Sequence, residues 1–395
     1  MSDKRYGELR PGRRILMAPG PTELDPRVLR ALATPVVGHL DPDFLNIMND
    51  TRDLIRSAFA TSNYLTVAMS GTGSAGMETC LVNLLEPGDR AVICVNGAFG
   101  QRMVDIVERT GAEAIVVHAP WGRTVDPADV ENALKQGGVK IVALVHVETS
   151  TGVWQPVEEI AALARSYDAL VVLDAVSSLG GVPVPVDAWQ VDAAYSGSQK
   201  CLSAPPGLAP VTMSERARAA IGRRRTKVQS WYLDLTMIEN YWGEARAYHH
   251  TAPISMVYAL REALRIAEEE GWENRWRRHM RLGRALQAGL EAMGLTLIAP
   301  PEYRAPMVTA VRVPEGVDEL AVRRQLLTDY GLEIAGGLGE FKGRAWRIGL
   351  MGNSCQWRNV VLCLTALSVA LRAQGYNASA DEAVAAAQAI LSANN

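Results

Sequence analysis

The sequence has few features that would direct it to a membrane, to a nucleic acid or to an oxidising compartment. Its five cysteines among 395 residues are an odd number without paired metal-ligand spacing, so we expect reduced thiols and no metal site. The net charge of −3 provides no general attraction for nucleic acid or anionic lipid. No apolar run reaches the roughly 18 residues that a membrane-spanning helix needs.

The two ends of the sequence carry no address signal. The residues from Met1 to Tyr6 lack the apolar core of a secretory signal, and those from Ser392 to Asn395 are not a peroxisomal Ser-Lys-Leu address. We therefore expect a cytoplasmic protein. The densest basic run, residues 216–227, lacks the interleaved aromatic residues of a nucleic-acid stripe and predicts a solvated helix end.

Short apolar runs are the main regularity that is present. Hydrophobic residues make up 48% of the chain, and there are 34 glycines. Apolar strands that alternate with helical segments are typical of α/β proteins in which a mostly parallel sheet is covered on both faces. The principal strand candidates are 91–95, 114–118, 140–146, 170–174, 192–196 and 209–213.

Changes in the pattern of predicted strands and helices along the sequence divide it into an N-terminal arm and two domains. Residues 1–18 resemble an extended N-terminal arm, and Thr22 can begin the helix that follows the next turn. Alternation of strands and helices continues to about residue 255, where long helical patterns lead into a smaller mixed region. We place the boundary at residue 270, which gives a large domain of 19–270 and a small C-terminal domain of 271–395.

The most informative segment is Ser196-Gly197-Ser198-Gln199-Lys200, which follows a short apolar strand. Small and hydroxylic neighbours leave room for a bulky group on the amine of Lys200. The following Pro205-Pro206-Gly207 turn prevents a helix from carrying the lysine into solvent. These features suit a lysine that forms a Schiff base. The alternative is a solvated lysine in a turn.

An acid stands upstream at the end of a second strand. The apolar run Leu170-Val171-Val172-Leu173 predicts a strand buried on both faces, and it ends in Asp174. The carboxyl end of such a strand borders the crevice where α/β sheets bind ligands. Pyridoxal phosphate needs this pair, because a lysine binds its aldehyde and a carboxylate keeps its ring nitrogen protonated. A simple helix N-cap is the alternative for Asp174.

The turn Gly71-Thr72-Gly73-Ser74-Ala75-Gly76 allows three interpretations. It matches G-x-G-x-x-G between a predicted strand and helix, which is a dinucleotide fingerprint, but no strand-ending acid follows about 20 residues later. The favoured interpretation is a phosphate cup, in which the amides of Gly73 and Ser74 and the hydroxyl of Thr72 meet a phosphate at the helix start. An NAD-dependent dehydrogenase and a plain tight turn remain open.

Two further strand ends carry candidate residues for a cofactor. Phe99 follows one strand, where its ring can lie on a pyridine ring by offset stacking. Thr149, in Glu148-Thr149-Ser150-Thr151-Gly152, follows another strand, and a hydroxyl there can reach the phenolic oxygen of the cofactor.

These motifs, taken with others further along the chain, resemble the alanine–glyoxylate aminotransferase family, which includes serine–glyoxylate, serine–pyruvate and ureidoglycine–glyoxylate aminotransferases. The resemblance extends from about Pro19 to about Leu371. The segments that carry it are Val145 to Gly152, Asp174 with Ser178-Leu179-Gly180-Gly181, Ser196 to Lys200 with Pro205-Pro206-Gly207, Tyr248-His249-His250-Thr251, Gly336-Gly337-Leu338-Gly339 and Trp346-Arg347-Ile348-Gly349.

The resemblance implies a fold-type I enzyme with pyridoxal 5′-phosphate as cofactor, a seven-stranded sheet in the large domain, and a homodimer with shared active sites. It implies that Lys200 binds the cofactor covalently and that Asp174 pairs with the ring nitrogen. The other cofactor contacts that it implies are Thr72, Gly73, Ser74, Phe99, Thr149 and Gln199, with Tyr248 and Thr251 crossing from the partner subunit. Arg347 resembles the clamp for the substrate carboxylate, and Gly20, His39 and Tyr248 are further substrate-site candidates.

The amino donor is the open question. The overall sequence is similar to the ureidoglycine–glyoxylate branch, for example at Trp121-Gly122 and at Ser354-Cys355. That branch places Gln and Asn where this chain has His39 and Tyr248, and an amide pair suits a ureido group. His39 and Tyr248 resemble the alanine-using branch, so we expect alanine or serine as donor and keep ureidoglycine as the alternative.

Other activities of the same fold are weaker alternatives. A cysteine desulfurase needs a mobile reactive cysteine, and Cys355 lacks an extended loop around it. A repressor built on a retired aminotransferase needs a pair of DNA-binding helices, for which the arm before Pro19 leaves no room. The sequence therefore predicts a transaminase that uses glyoxylate, acts on small amino and 2-oxo acids, and binds neither nucleic acid nor membrane.

Overall fold

The computed structural model describes residues 7–393. The part of the predicted arm formed by residues 1–6 lies outside the described residues. The strands are β1 Ile15–Leu16, β2 Leu65–Ser70, β3 Arg90–Val95, β4 Glu113–His118, β5 Val139–Val145, β6 Val147–Glu148, β7 Val153–Trp154, β8 Leu170–Asp174, β9 Ala193–Tyr195, β10 Leu208–Met213, β11 Val308–Arg312, β12 Leu332–Glu333, β13 Ala335–Gly336 and β14 Ala345–Gly349.

Helices cover these strands along the whole described chain. They are α1 Pro26–Leu32, α2 Pro42–Phe59, α3 Gly73–Leu84, α4 Ala98–Arg109, α5 Pro127–Leu134, α6 Glu158–Ser166, α7 Glu215–Gly222, α8 Leu235–Trp242, α9 Ile254–Glu270, α10 Trp272–Ala292, α11 Glu319–Tyr330, α12 Trp357–Arg372 and α13 Ala380–Ser392. Short 3₁₀ turns lie at Pro301–Tyr303, Gly339–Phe341 and Gly352–Ser354. No described helix is long and apolar enough to cross a bilayer.

Seven strands form the main sheet, in the order β2-β10-β9-β8-β5-β3-β4. β4, β3, β5, β8 and β9 are parallel to one another, and β10 is antiparallel to both of its neighbours, β2 and β9. Every residue of β8 is buried, as expected for a continuous apolar strand in the centre of a parallel sheet. This architecture confirms the predicted α/β class with its mostly parallel seven-stranded sheet.

Local signals in the sequence place several helix ends. α2 begins at Pro42, whose fixed backbone angle suits the first helical position, and the carboxylate of Asp41 accepts a hydrogen bond of 2.8 Å from the amide of Asp43. The expectation that Thr22 begins a helix is wrong. α1 begins at Pro26 with Asp25 as its cap, and the buried Thr22 instead donates to the hydroxyl of Ser203.

Buried hydrophobic residues form a core around each of the two larger sheets. The first surrounds the seven-stranded sheet and includes residues of α9 such as Leu264. The second surrounds the three-stranded sheet β11-β14-β13 and includes residues of α10 such as Leu286, together with Met17. β1 pairs with β12, which ties the N-terminal segment to the second core. The exact domain boundary at residue 270 stays a prediction.

Candidate active site

Lys200 lies on the carboxyl side of β9 and is only 8% exposed. Its Nζ donates a hydrogen bond to the carbonyl oxygen of Pro19. Gly20 packs on the same side chain: a Cβ at this position would lie 2.7 Å from Cδ of Lys200, and its φ of +86° is itself a conformation that favours glycine. The structure therefore brings the candidates Lys200 and Gly20 together, and the N-terminal segment closes over the lysine.

The environment of Lys200 favours its neutral form. Burial, and after it the nearby cation of Arg347, lowers the pKa of the amine to about 8, while Asp174 and Glu148 act in the opposite direction. A neutral amine is the nucleophilic form of lysine, so the site prepares this side chain for covalent chemistry.

Asp174 ends β8 and is buried, with 2% of its surface exposed. Its Oδ1 accepts a hydrogen bond of 2.8 Å from the amide of Val176, and its Oδ2 accepts one of 2.8 Å from the hydroxyl of Tyr195. Burial raises the pKa of Asp174 to about 6, although both hydrogen bonds favour the carboxylate. Neither donor is a cation, and a buried carboxylate is costly until a positive group pairs with it. A protonated pyridine nitrogen would supply that charge.

The glycine-rich turn leads directly into α3. The helix begins at Gly73 after β2, and the side chain of its N-cap, Thr72, makes no capping hydrogen bond. The first amides of a helix have no acceptor within it, so those of Gly73 and Ser74 are available to an anion. A Cβ at Gly73 would lie 3.1 Å from Val176 and 3.5 Å from Gly197. The helix start therefore lies beside the segments that carry Asp174 and Lys200.

Gln199 supplies a further sign of a missing ligand. Its side-chain oxygen is buried and has no hydrogen-bond partner within residues 7–393. The oxygen and nitrogen of such an amide are assigned from their surroundings, and rotation of the amide would present its NH₂ group to an acceptor. A phosphate in the cup formed by Thr72, Gly73 and Ser74 would provide acceptors. The residues present thus fit pyridoxal phosphate at its ring nitrogen, its phosphate and its aldehyde.

Phe99 lies in the first turn of α4 and is half-buried. The guanidinium of Arg102 lies over its ring at 4.8 Å and also donates to the hydroxyl of Ser74. The buried carboxylate of Glu148 accepts hydrogen bonds from the amides of Phe99 and Gly100, at 3.1 Å and 3.4 Å. Glu148 therefore caps the helix that carries Phe99.

Thr149 and Arg347 meet on the other side of the site. The hydroxyl of Thr149 lies 2.5 Å from that of Ser177, three residues after Asp174, and the carbonyl oxygen of Thr149 lies 3.5 Å from Nη1 of Arg347. Arg347 belongs to β14, and its Nε donates to the carbonyl of Gly336 at 2.8 Å. Burial lowers the pKa of Arg347, and the acid of Glu148 opposes this effect. The charge of Arg347 also acts on Lys200, so the guanidinium lies close to this cluster of buried polar groups.

His39, Tyr248 and Thr251 lie apart from this cluster. The rings of His39 and Tyr248 are 5.1 Å apart, Tyr248 is 61% exposed, and Thr251 is exposed. No hydrogen bond, ion pair or ring contact within residues 7–393 joins these three to Lys200, Asp174 or Arg347. The roles predicted for Tyr248 and Thr251 across a subunit interface, and for His39 and Tyr248 in the substrate site, stay predictions.

Comparison with known proteins decides the family. The model of class V aminotransferases matches residues 18–340. The chain is 42% identical over 392 residues to (S)-ureidoglycine–glyoxylate transaminase from Bacillus subtilis (strain 168), which covers 95% of this chain and 94% of that relative. It is 40% identical over 363 residues to alanine–glyoxylate aminotransferase from Callithrix jacchus, covering 91% of this chain and 88% of that one.

Solved structures agree. A crystal structure of ureidoglycine–glyoxylate aminotransferase from Bacillus subtilis has a TM-score of 0.95 at 43% identity and covers 98% of this chain and all of that one. A crystal structure of alanine–glyoxylate aminotransferase from Nostoc sp. has a TM-score of 0.92 at 47% identity and covers 93% and 98%. The chain is a class V aminotransferase.

This family assignment confirms the resemblance drawn from the sequence and the prediction of a pyridoxal phosphate-dependent transaminase. It leaves the dehydrogenase interpretation of the glycine-rich turn without support. Cys355 is buried, and burial raises the pKa of its thiol to about 12, whereas a reactive cysteine needs a lowered pKa. The structure therefore provides no candidate nucleophile at this position for desulfurase chemistry.

The structure also identifies residues of the aminotransferase that sequence reasoning missed. They are Glu148, which caps α4, Tyr195, which donates to Asp174, Ser177, which contacts Thr149, and Arg102, which contacts Phe99 and Ser74. Glu148 lay inside a recognised motif, and an acid between apolar residues and small hydroxylic residues was the available signal. Tyr195 carried no such signal, because its position in a strand is equally typical of a core residue.

Proposed function

We propose that this aminotransferase moves the amino group of alanine or serine to glyoxylate, giving glycine and pyruvate or hydroxypyruvate. Its cofactor is pyridoxal 5′-phosphate, and its active sites are shared between the two subunits of a homodimer. The observation that supports the cofactor most directly is that the buried Asp174 has only neutral hydrogen-bond donors within residues 7–393, beside a buried lysine and the start of α3.

The proposal assigns a role to each candidate residue of the active site. The fork of Arg347 binds the substrate carboxylate, and its two parallel donors fix the orientation of the Cα–H bond, which a lysine would not do. When bound, pyridoxal phosphate supplies an aldehyde that bonds to amines and a protonated ring that accepts an electron pair. Asp174 holds the proton on the ring nitrogen. Phe99 packs against the ring, and Thr72, Gly73, Ser74 and Gln199 bind the phosphate.

Lys200 moves the proton. Once the amino donor has displaced it from the cofactor, Lys200 would be a neutral amine that can take the proton from the substrate Cα and hold it at Nζ. Its lowered pKa of about 8 suits this work near neutral pH. The first product leaves before glyoxylate enters, so the kinetics are ping-pong.

The choice of donor rests on His39 and Tyr248. The two rings contact each other, so we treat the two side chains as acting together on the donor rather than independently. An imidazole and a phenol offer a ureido group fewer matched donors and acceptors than a pair of amides. The second candidate is (S)-ureidoglycine as donor, favoured by the 42% identity to the Bacillus subtilis transaminase.

A half-reaction screen tests the proposal. The purified holoenzyme is mixed with alanine, serine or ureidoglycine, one at a time and without an acceptor, and the visible absorbance of the lysine-bound cofactor is followed. Loss of absorbance with alanine or serine supports the proposal, and loss with ureidoglycine alone supports the second candidate. The Lys200→Ala variant is the control, and a retained band in that variant, or a borohydride-reduced adduct mapped to another residue, would overturn the assignment of Lys200.

A further inference from the structure

The orientation of Arg347 depends on two carbonyl groups from distant segments of the chain. Nε of Arg347 donates to the oxygen of Gly336 at 2.8 Å, and Nη1 lies 3.5 Å from the oxygen of Thr149. Gly336 lies in β13, which pairs with the strand of Arg347, whereas Thr149 follows β6 beside the seven-stranded sheet. The guanidinium can therefore make both hydrogen bonds only if the position of β13 relative to that sheet is fixed.

A compact turn connects β13 to β14. It contains the 3₁₀ segment Gly339–Phe341, and the amide of Gly337 donates to the oxygen of Ala345 at 2.8 Å. A Cβ at Gly337 would lie 2.0 Å from the carbonyl oxygen of Phe341, so the turn folds tightly on itself. A displacement of this turn is thus transmitted directly to Gly336.

Trp121 holds this turn from the side of the main sheet. It lies between β4 and α5, and a Cβ at Gly339 would lie only 2.2 Å from Cη2 of its indole. Its ring centroid is 6.2 Å from that of Phe341, whose ring also contacts the guanidinium of Arg312. The next residue, Gly122, has a φ of +95°, which lets the chain turn after the indole.

We propose that Trp121 is a positioning residue for substrate binding: by fixing the Gly339–Phe341 turn, it holds the Gly336 carbonyl and thereby orients the guanidinium of Arg347. This inference rests on the proposed role of Arg347 as the carboxylate clamp. It assigns Trp121 no contact with substrate. The function of Trp121 is to fix the distance between the carbonyl oxygens of Gly336 and Thr149, so that the guanidinium of Arg347 stays oriented towards the substrate carboxylate.

The glycines of the turn supply a matched pair of test variants. Gly339 has a φ of +50° and meets Trp121, whereas Gly343 has a φ of +71°, and a Cβ added there would have no atom of the described part of the chain within 4 Å. Alanine at either position carries the backbone strain of a positive φ. Only Gly339→Ala also pushes against the indole, so the difference between the two variants isolates the Trp121 contact.

The measurement is the binding of glycolate, a carboxylate that cannot accept an amino group, to each holoenzyme by titration calorimetry. Trp121→Ala should raise the dissociation constant about tenfold, because a misaligned charged hydrogen bond loses much of its strength. Gly339→Ala should also raise the dissociation constant of glycolate. Trp121→Phe should raise it by less than Trp121→Ala does, and Gly343→Ala should change it little. The KM for glyoxylate should rise in the same order with a smaller change in kcat.

A double-mutant cycle separates positioning from general packing. In an Arg347→Gln background, Trp121→Ala should cause no further loss of glycolate affinity, because the group it positions is absent. An equal loss in both backgrounds, an unchanged affinity in Trp121→Ala, or equal losses in Gly339→Ala and Gly343→Ala would overturn the inference. Trp121→Phe serves if Trp121→Ala does not fold.

The proposed function has its own, separate failure. Suppose that the wild-type holoenzyme transaminates glyoxylate and that Arg347→Gln loses glycolate affinity. If the Trp121 variants then keep their affinity, the inference about Trp121 is overturned and the proposed function is not. If the wild-type holoenzyme neither binds glycolate nor reacts with any of the amino donors, the proposed function and this inference are overturned together.

Discussion

The hydroxyl of Tyr195 donates a hydrogen bond of 2.8 Å to Oδ2 of Asp174, directly across the pairing of β8 with β9. This neutral donor stabilises the carboxylate without neutralising it. Burial still raises the pKa of Asp174 to about 6, so the apoprotein holds an ionised acid at neutral pH in a place that disfavours its charge. Cofactor binding would relieve this cost, which links the stability of the protein to occupancy of its site.

The first prediction concerns the stability of the apoprotein. The folded pKa of Asp174, about 6, lies above its ordinary value of 3.8, so its stabilising contribution is present at low pH and is lost as pH rises from about 4 through about 6. Asp174→Asn removes the charge and should raise the free energy of unfolding of the apoprotein at about pH 8 by up to about 3 kcal/mol. Urea unfolding at several pH values measures it.

The same variant should bind pyridoxal phosphate more weakly, because the ring nitrogen loses its anionic partner. The variant Tyr195→Phe serves as the comparison, since removal of this donor should raise the pKa of Asp174 further and extend the pH range of the loss. An Asp174→Asn apoprotein that is less stable than the wild type at about pH 8 would contradict the account of burial given above.

The second prediction concerns the pH dependence of cofactor incorporation. Lys200 must be neutral to attack the cofactor aldehyde, so the rate at which the apoprotein gains visible absorbance should rise with pH through about 8, its lowered pKa. Burial is the main cause of this pKa, and the charge of Arg347 is the second. Arg347→Gln should therefore shift the profile to higher pH.

Stopped-flow absorbance of apoprotein mixed with pyridoxal phosphate measures the profile. Lys200→Ala is the control and should show no band. A profile in Arg347→Gln that moves to lower pH would mean that the arginine does not act on the lysine through its charge.

A local pattern in the sequence was enough to predict one central element of the candidate site. The apolar run that ends in Asp174 predicted β8 with the bounds that the structure shows. Such signals are complete within a few residues, so distant parts of the chain add little to them.

Contacts between distant segments were not predictable in this way. The hydrogen bond from Tyr195 to Asp174 depends on the register of two strands, and the one from Lys200 to the carbonyl of Pro19 joins residues 181 positions apart. A backbone carbonyl has no sequence signature, because every residue carries one. The sequence therefore predicted the residue types of the candidate site better than the contacts that orient them.

The third prediction concerns Glu148. Its two oxygens accept from the amides of Phe99 and Gly100 and from the amide and hydroxyl of Ser150. Glu148→Gln places a donor against a backbone N–H whichever way its amide turns, whereas the Asp174→Asn amide can face the rotatable hydroxyl of Tyr195. The Glu148 substitution should therefore cost about 1–3 kcal/mol of unfolding free energy. Because α4 carries Phe99, the variant should also bind pyridoxal phosphate more weakly.

Urea unfolding and cofactor titration measure the two effects of the Glu148 substitution. Glu159→Gln is the matched control, since this glutamate is exposed in the first turn of α6. Wild-type affinity for the cofactor in Glu148→Gln would show that the cap does not position Phe99.

The last prediction concerns the donor. His39 and Tyr248 contact each other, so we expect both to change together if the donor preference is to change. The double substitution His39→Gln and Tyr248→Asn should raise kcat/KM for ureidoglycine relative to alanine, because two amides supply donors and acceptors that a ureido group can satisfy.

Each single substitution should shift this ratio by less than the double one. Because the two residues are in contact, the shift in the double variant should also differ from the sum of the two single shifts on a free-energy scale. A site that hydrogen-bonds its substrate discriminates by larger factors than a small apolar pocket, so the gain for ureidoglycine should exceed the loss for alanine. The ratio is measured by competition between the two donors with glyoxylate as acceptor, and an unchanged ratio in the double variant would remove these two residues from donor selection.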